Sequence, residues 1–123
     1  MNRKTFIATL IVYMVLMIVV HLLRGGNIPL DSFIGMDKLL HTIEYIIFAF
    51  LFINALKKPN FNKVVVVIIV GASFGILIEF LQLYVAGRYA SAYDAIANVV
   101  GLFIGSIITY KYLIISNDKE SVH

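Results

Sequence analysis

Four apolar runs separated by short polar segments dominate the chain. Each run is close to the roughly 20 residues that an α-helix needs to cross a bilayer, and each is apolar around its whole circumference. Glycines and Pro29 break the chain after the first run, and Lys57 to Asn60 after the second. The pattern predicts an all-α integral membrane protein, a bundle of four transmembrane helices at about 5–23, 39–56, 64–85 and 92–115. We expect the polar tail at 116–123 to be frayed.

Composition supports this prediction and excludes several classes of site. Of the 123 residues, 61% are hydrophobic and 14% charged, which is too apolar for a soluble domain of this size. One membrane domain over residues 1–123 is predicted. Cysteine is absent, so disulfides and thiolate chemistry are excluded. The net charge of +3 comes from basic residues at helix ends rather than from one patch, so no nucleic-acid partner is expected.

The basic residues also predict the topology. Four crossings place both termini on one side, and the first run, after Arg3 and Lys4, is interpreted as an uncleaved anchor. Only Arg24, Lys38 and Arg88 fall on the other side. The positive-inside rule therefore predicts cytoplasmic N and C termini. The basic residues on the terminal side are Arg3, Lys4, Lys57, Lys58, Lys63, Lys111 and Lys119.

Ionisable side chains inside the apolar runs are costly, roughly 3 kcal/mol each on insertion scales, and they require an explanation. Here they fall where the last three helices meet the extracellular side, and steps of three or four residues put those of each helix on one stripe. We predict that they converge on one ligand-binding site. The predicted set is Asp37, His41, Glu44, Glu79, Gln82, Arg88, Asp94 and Asn98.

Glu44 and Glu79 lie at matching depths in their helices, about 10 Å below the helix ends at 1.5 Å of rise per residue. They are a candidate carboxylate pair, one of which would hold a proton in a medium of low dielectric constant. Such a group is suited to acid-base chemistry. If the protein is an enzyme, the catalytic candidates are His41, Glu44, Glu79 and Asp94.

Several of these residues also have a purely structural interpretation. Ser91 and Asp94 fit a capping box, and Asp37 suits the positive end of the second helix. Lys38 is interpreted as reaching to lipid head groups. Arg88, in a short loop, is suited to gripping a phosphate with its guanidinium group.

Imidazole and carboxylate are donor types that suit zinc, manganese or iron. The sequence has no His-Glu-x-x-His spacing, and His41 is interpreted as the only histidine of the set, with His21 and His123 elsewhere. A hydrogen-bonded polar plug is the favoured interpretation, so no metal and no cofactor is predicted.

Glycine spacing predicts how the last two helices meet. Gly71 and Gly75 lie below Glu79, and Gly101 and Gly105 lie below Asn98. This spacing lets helix backbones approach closely in membranes, so we expect the third and fourth helices to pack there.

Three sequence blocks resemble the VanZ-like family. The resemblance covers about Asp37 to Gly105, and the first helix contributes little to it. It implies a small bacterial membrane protein of a family named after a member associated with low-level teicoplanin resistance, and no known reaction. Val85-Ala86-Gly87 stands where a proline-glycine turn is expected. The blocks are Asp37-Lys38-x-x-His41-x-x-x-Tyr45, Glu79-x-x-Gln82 and Arg88-x-x-Ser91-x-x-Asp94-x-x-x-Asn98-x-x-Gly101.

The functional hypothesis is a binding protein of the cell membrane whose extracellular polar set engages an anionic lipid head group or a lipid-linked cell-wall precursor. Glycopeptide resistance is the association that the resemblance adds. The alternative is a membrane enzyme acting on a lipid head group by His and carboxylate acid-base chemistry. A third interpretation is that the polar set only locks the order of the helices.

Overall fold

The computed structural model describes residues 1–23, 35–85 and 91–121, and these residues form four α-helices and no strand. The helices are α1 (Arg3–Leu23), α2 (Met36–Ala55), α3 (Phe61–Gln82) and α4 (Ala92–Ser121). The all-α prediction is confirmed for this part of the chain. Each helix follows one of the apolar runs, because a continuous apolar segment free of proline can satisfy its backbone groups internally.

Three helices begin a few residues before the predicted runs, and α4 extends beyond the end of its run. α3 begins at Phe61 because the Asn60 side chain accepts a 2.9 Å hydrogen bond from the Lys63 backbone N–H and caps the helix. The expectation of a frayed tail from residue 116 is wrong, since α4 continues to Ser121. No glycine or proline interrupts residues 116–121, so the helix continues past its apolar part.

α2 is the central helix of the bundle. It packs against α1, α3 and α4, and its most extensive contact is with α4. The helices alternate in direction, and at the end that holds both termini the Arg3 Nε donates a 3.0 Å hydrogen bond to the Ala55 carbonyl. We call the opposite end, where α1 and α3 end and α2 and α4 begin, the polar end. Between the two ends lies an apolar core in which Phe48 and Phe74 stack with ring centroids 5.7 Å apart.

The glycine stripe of α4 faces α2, not α3 as the spacing led us to expect. A Cβ at Gly101 would meet the backbone carbonyl oxygen of Thr42, and one at Gly105 would lie 2.7 Å from that of Ile46. The α3 glycines do accommodate α4, but through side chains: a Cβ at Gly75 would lie 2.9 Å from Asn98 Nδ2. Close backbone contact therefore joins α2 to α4 and fixes their register at the polar end.

The outer faces of the helices are apolar. Val12, Ile69, Ile76 and Ile108 are all more than half exposed, and apolar surface this extensive is typical of contact with lipid rather than water. Within the described residues, α1, α3 and α4 are long and apolar enough to cross a membrane. α2 is not among these candidate spans; its first half carries the charged residues of the polar end.

Candidate functional site

Ionisable and amide side chains from all four helices gather at the polar end. We call this set the polar cluster. Most of its members are buried, so the cluster reaches into the bundle rather than lying on its surface. Asp37, Lys38 and Glu44 are partly exposed. The members are His21, Asp37, Lys38, His41, Glu44, Glu79, Gln82, Asp94 and Asn98.

His41 lies at the centre of the polar cluster and is only 2% exposed. Its Nδ1 is 2.9 Å from Asn98 Oδ1, an acceptor, so this nitrogen carries the proton and donates it. Its Nε2 lies 3.8 Å from a carboxylate oxygen of Asp37 and 3.8 Å from one of Asp94. The ring is thereby held in one orientation, with Nε2 facing negative charge.

Lys38 connects the first turns of α2 and α4. Its Nζ lies 3.1 Å from Asp94 Oδ1 and 3.4 Å from Asp37 Oδ2, while its side chain remains 45% exposed. Lys38 lies just before the predicted span at 39–56. Its hydrogen bond to Asp94 raises the pKa of Lys38 above its ordinary value. Lys38 therefore stays protonated and takes part in the polar cluster, a role that its interpretation as a residue reaching to head groups did not include.

The predicted capping box is present, but its two hydrogen bonds involve side chains of two different helices. Ser91 Oγ accepts a 3.4 Å hydrogen bond from the Asp94 N–H, as an N-cap residue does. In a complete capping box, the side chain of the third helical residue accepts a hydrogen bond from the N–H of the N-cap residue. Here the Ser91 N–H instead donates to Glu79 Oε2 at 3.2 Å. Glu79 of α3 thus helps to begin α4 and frees the Asp94 carboxylate to face Lys38 and His41.

The interpretation of His21 as lying elsewhere is wrong. This residue of α1 is buried, and its ring packs edge-on to His41 with centroids 5.2 Å apart. Its Nδ1 donates to the Met17 carbonyl at 2.8 Å, and its Nε2 lies 3.3 Å from Glu44 Oε2. Gln82 Nε2 donates to the His21 carbonyl at 3.4 Å. The sequence signal for His21 was its position as an ionisable residue near the end of an apolar run. Spacing along one helix, however, does not show which residues of the other helices it contacts.

Seven of the eight predicted site residues are described, and all seven belong to the polar cluster; Arg88 lies outside the described residues. The predicted pairing of Glu44 with Glu79 is not observed among the described residues. Glu44 faces His21, and Glu79 binds the Ser91 backbone. The acid-base capacity of the polar cluster therefore rests on carboxylates that face histidines.

Two groups of three side chains bring potential metal ligands within 4.8 Å of one another, and both include His41. One adds His21 and Glu44, and the other adds Asp37 and Asp94. The same arrangement can also hold hydroxyl or ammonium groups on its carboxylates and a phosphate on Lys38.

The fold and the polar cluster define a small helical protein of membrane type with an ionisable site at one end of the bundle. A family model described as VanZ/LLP1 matches residues 3–115, and the chain belongs to this family. The match begins in α1, which supplies His21, and is thus wider than the resemblance between Asp37 and Gly105. No significant match was found among curated proteins or among solved structures.

Proposed function

We propose that this protein is a multi-pass protein of the bacterial cytoplasmic membrane and that its polar cluster binds a lipid head group or a lipid-linked cell-wall precursor. The observation that carries the proposal is the convergence of ionisable groups from all four helices at one end of an otherwise apolar bundle. Groups that are costly in a membrane are expected to serve binding or chemistry. The partly exposed side chains of Asp37, Lys38 and Glu44 give a ligand access at the level of the head groups.

In the proposed topology α2 also crosses the membrane. α1, α3 and α4 are long enough to span, and α2 packs between them over its length with alternating direction. The inward stripe of α2 can carry ionisable residues because it faces the neighbouring helices, while Leu39, Ile43, Ile47 and Phe50 form an exposed apolar face. The excess of Lys and Arg at the terminal end then gives cytoplasmic N and C termini and an extracellular polar cluster.

The charge of the polar cluster narrows the kind of head group. Its described members include four carboxylates and one lysine. Such a site disfavours a bare anion and favours a ligand that carries a phosphate together with hydroxyl or ammonium donors. Lys38 would contact the phosphate, with Arg88 proposed as its second cation, and Asp37 and Glu44 would accept hydrogen bonds from the donors.

A direct test measures lipid binding by the purified protein in nanodiscs of phosphatidylcholine, whose head group has no hydrogen-bond donor, doped with a phosphoglycerol lipid and read by native mass spectrometry. Lys38→Met should weaken binding by about tenfold, because a charge-assisted contact is lost. Lys119→Met, at the terminal end, is the matched control and should bind as wild type does. Equal binding by wild type and Lys38→Met, both folded, would contradict the proposed role of the polar cluster.

The link to glycopeptides is tested separately in a susceptible Gram-positive host that expresses wild type, Lys38→Met or Lys119→Met. We expect wild type and Lys119→Met to reduce teicoplanin sensitivity and Lys38→Met not to, at equal membrane levels by immunoblot. Absence of protection by wild type would remove resistance from the proposal.

A second candidate function is a membrane enzyme that acts on a lipid head group. The observation that favours it is the orientation of His41, whose Nδ1 is held by Asn98 while Nε2 faces two carboxylates. Such a ring is suited to moving a proton. An enzyme should lose all function in His41→Gln at preserved fold, whereas a binding protein should lose affinity by degrees.

A further inference from the structure

We propose that His21, His41 and Glu44 bind a divalent transition-metal ion of the zinc type where α1 meets α2. Two imidazoles and one carboxylate form a ligand set that zinc sites use while keeping a further coordination position open. One potential ligand atom from each of the three residues lies within 4.8 Å of the others. The proposal does not depend on head-group binding.

The hydrogen bonds of the two imidazoles prepare them for a metal. Both donate through Nδ1, His21 to the Met17 carbonyl at 2.8 Å and His41 to Asn98 Oδ1 at 2.9 Å. Metal-bound histidines characteristically donate their second ring N–H to such an acceptor, which fixes the tautomer and the ring orientation. Nε2 is then the nitrogen of each ring that has a lone pair for a cation.

The distances between the donors fit a small cation. His21 Nε2 and Glu44 Oε2 are 3.3 Å apart. Two tetrahedral ligands, each about 2.0–2.1 Å from zinc, are separated by roughly 3.3–3.4 Å. The His21 and His41 rings pack edge-on with centroids 5.2 Å apart, and one ring nitrogen of His41 completes a set of three ligand atoms that lie within 4.8 Å of one another.

Buried carboxylate oxygens supply an independent observation. Glu79 Oε1 is shielded from solvent and has no hydrogen-bond donor within the described residues. Glu44 Oε2 is shielded as well, and the ring nitrogen 3.3 Å from it, His21 Nε2, has no proton to donate in the neutral tautomer that the Met17 carbonyl selects. Glu79 as a whole is only 7% exposed. Buried acceptors without a donor are rare, and an ion is one of the few groups that satisfies them.

The other group of donors, Asp37, His41 and Asp94, is the weaker candidate for a metal. Lys38 Nζ already lies 3.1 Å from Asp94 and 3.4 Å from Asp37 and offsets one of their two charges. No lysine or arginine is paired with Glu44 or Glu79 within the described residues. More negative charge therefore remains to be offset at Glu44 and Glu79 than at Asp37 and Asp94.

The test uses full-length protein purified in detergent with a tag other than polyhistidine and stripped of metal with a chelator. Titration with Zn²⁺ by calorimetry should show one ion bound per chain, and Co²⁺ should give the visible absorption of a site of low coordination number. His21→Gln and Glu44→Gln should each weaken binding by more than the about 10–100-fold typical of losing an outer-shell partner. His123→Gln and Glu120→Gln are the matched controls and should bind as wild type does.

Lowering the pH should weaken Zn²⁺ binding, because protons compete for the imidazole nitrogens. Folded wild type that binds neither Zn²⁺ nor Co²⁺ would overturn the proposal, and this result needs no variant. Binding that survives Glu44→Gln but is lost in Asp37→Asn would assign the ion to the other donor group and overturn it as well.

Discussion

At the scale of single residues, the polar cluster shows side chains that serve two purposes at once. Glu79 accepts the backbone N–H of Ser91 and thereby begins α4 from a neighbouring helix. Asp94 is then available to Lys38 and His41. A purely structural capping box would not need this division, because Asp94 alone could accept the Ser91 N–H.

The bond between Asn98 and His41 should contribute measurably to stability. Asn98→Leu keeps the branched shape of the side chain but leaves the buried Nδ1–H of His41 without its acceptor, which typically costs about 1–3 kcal/mol. We expect a correspondingly lower midpoint when the protein in detergent is unfolded with increasing sodium dodecyl sulfate. Asn62→Leu replaces an exposed asparagine and should change the free energy of unfolding by no more than about 0.5 kcal/mol. Equal effects of the two substitutions would contradict the assigned hydrogen bond.

The sequence predicted the polar site as far as spacing along a helix permits. Charged and amide residues at steps of three and four in α2, α3 and α4 do converge, because each stripe faces inward. His21 and Lys38 were missed for different reasons. His21 has no polar residue three or four positions before it in α1, and Lys38 is a long cationic side chain of the kind that reaches to head groups. Only the packing of α1 and α4 against α2 shows their partners.

At the scale of helices, close approach of α2 and α4 holds the polar cluster together. Gly101 lies against the backbone carbonyl of Thr42, one residue from His41, so the register of the two helices also sets the position of Asn98. The sequence identified the glycines that allow close packing but not their partner helix. Gly-x-x-x-Gly spacing gives the face of a helix that can be approached and carries no information about which helix approaches it.

A methyl group at Gly101 should disrupt this contact more than one at Gly71. In Gly101→Ala the new Cβ meets backbone that cannot move independently, whereas in Gly71→Ala it meets the flexible end of Leu102. We expect Gly101→Ala to cost at least the roughly 1–3 kcal/mol of an overpacked core, and Gly71→Ala to cost less. Unfolding in sodium dodecyl sulfate measures both. A larger loss in Gly71→Ala would contradict the observed pairing of α2 with α4.

At the scale of the whole molecule, the helix that carries the most members of the polar cluster is the central one. α2 carries Asp37, Lys38, His41 and Glu44 and packs against every other helix. This arrangement lets ionisable groups on its inward stripe enter a membrane beside other helices rather than beside lipid. The sequence predicted four helices because each has its own apolar run, but the central position of α2 depends on pairings that no single run encodes.

The proposed crossing of α2 predicts opposite accessibility for its two ends. Met36→Cys and Lys57→Cys introduce single thiols at exposed positions of a chain that has no cysteine. In intact cells a membrane-impermeant maleimide should label Met36→Cys, and Lys57→Cys should react only after the cells are permeabilised. Labelling of both from the same side would contradict the proposed topology.

The measurement that tests the central proposal most directly compares head-group binding and stability in the same variant, Asp37→Asn. Asp37 is a proposed acceptor for the hydroxyl donors of the ligand, and asparagine keeps one acceptor oxygen while it removes the charge that strengthens such a hydrogen bond. If the polar cluster is a binding site, Asp37→Asn should bind the phosphoglycerol lipid in nanodiscs several-fold more weakly than wild type. It should unfold at a similar concentration of sodium dodecyl sulfate, because the pair of Asp37 with Lys38 is partly exposed. Binding equal to that of wild type, or a loss of binding that only follows a matching loss of stability, would contradict the proposal and leave the polar cluster as a lock on helix order.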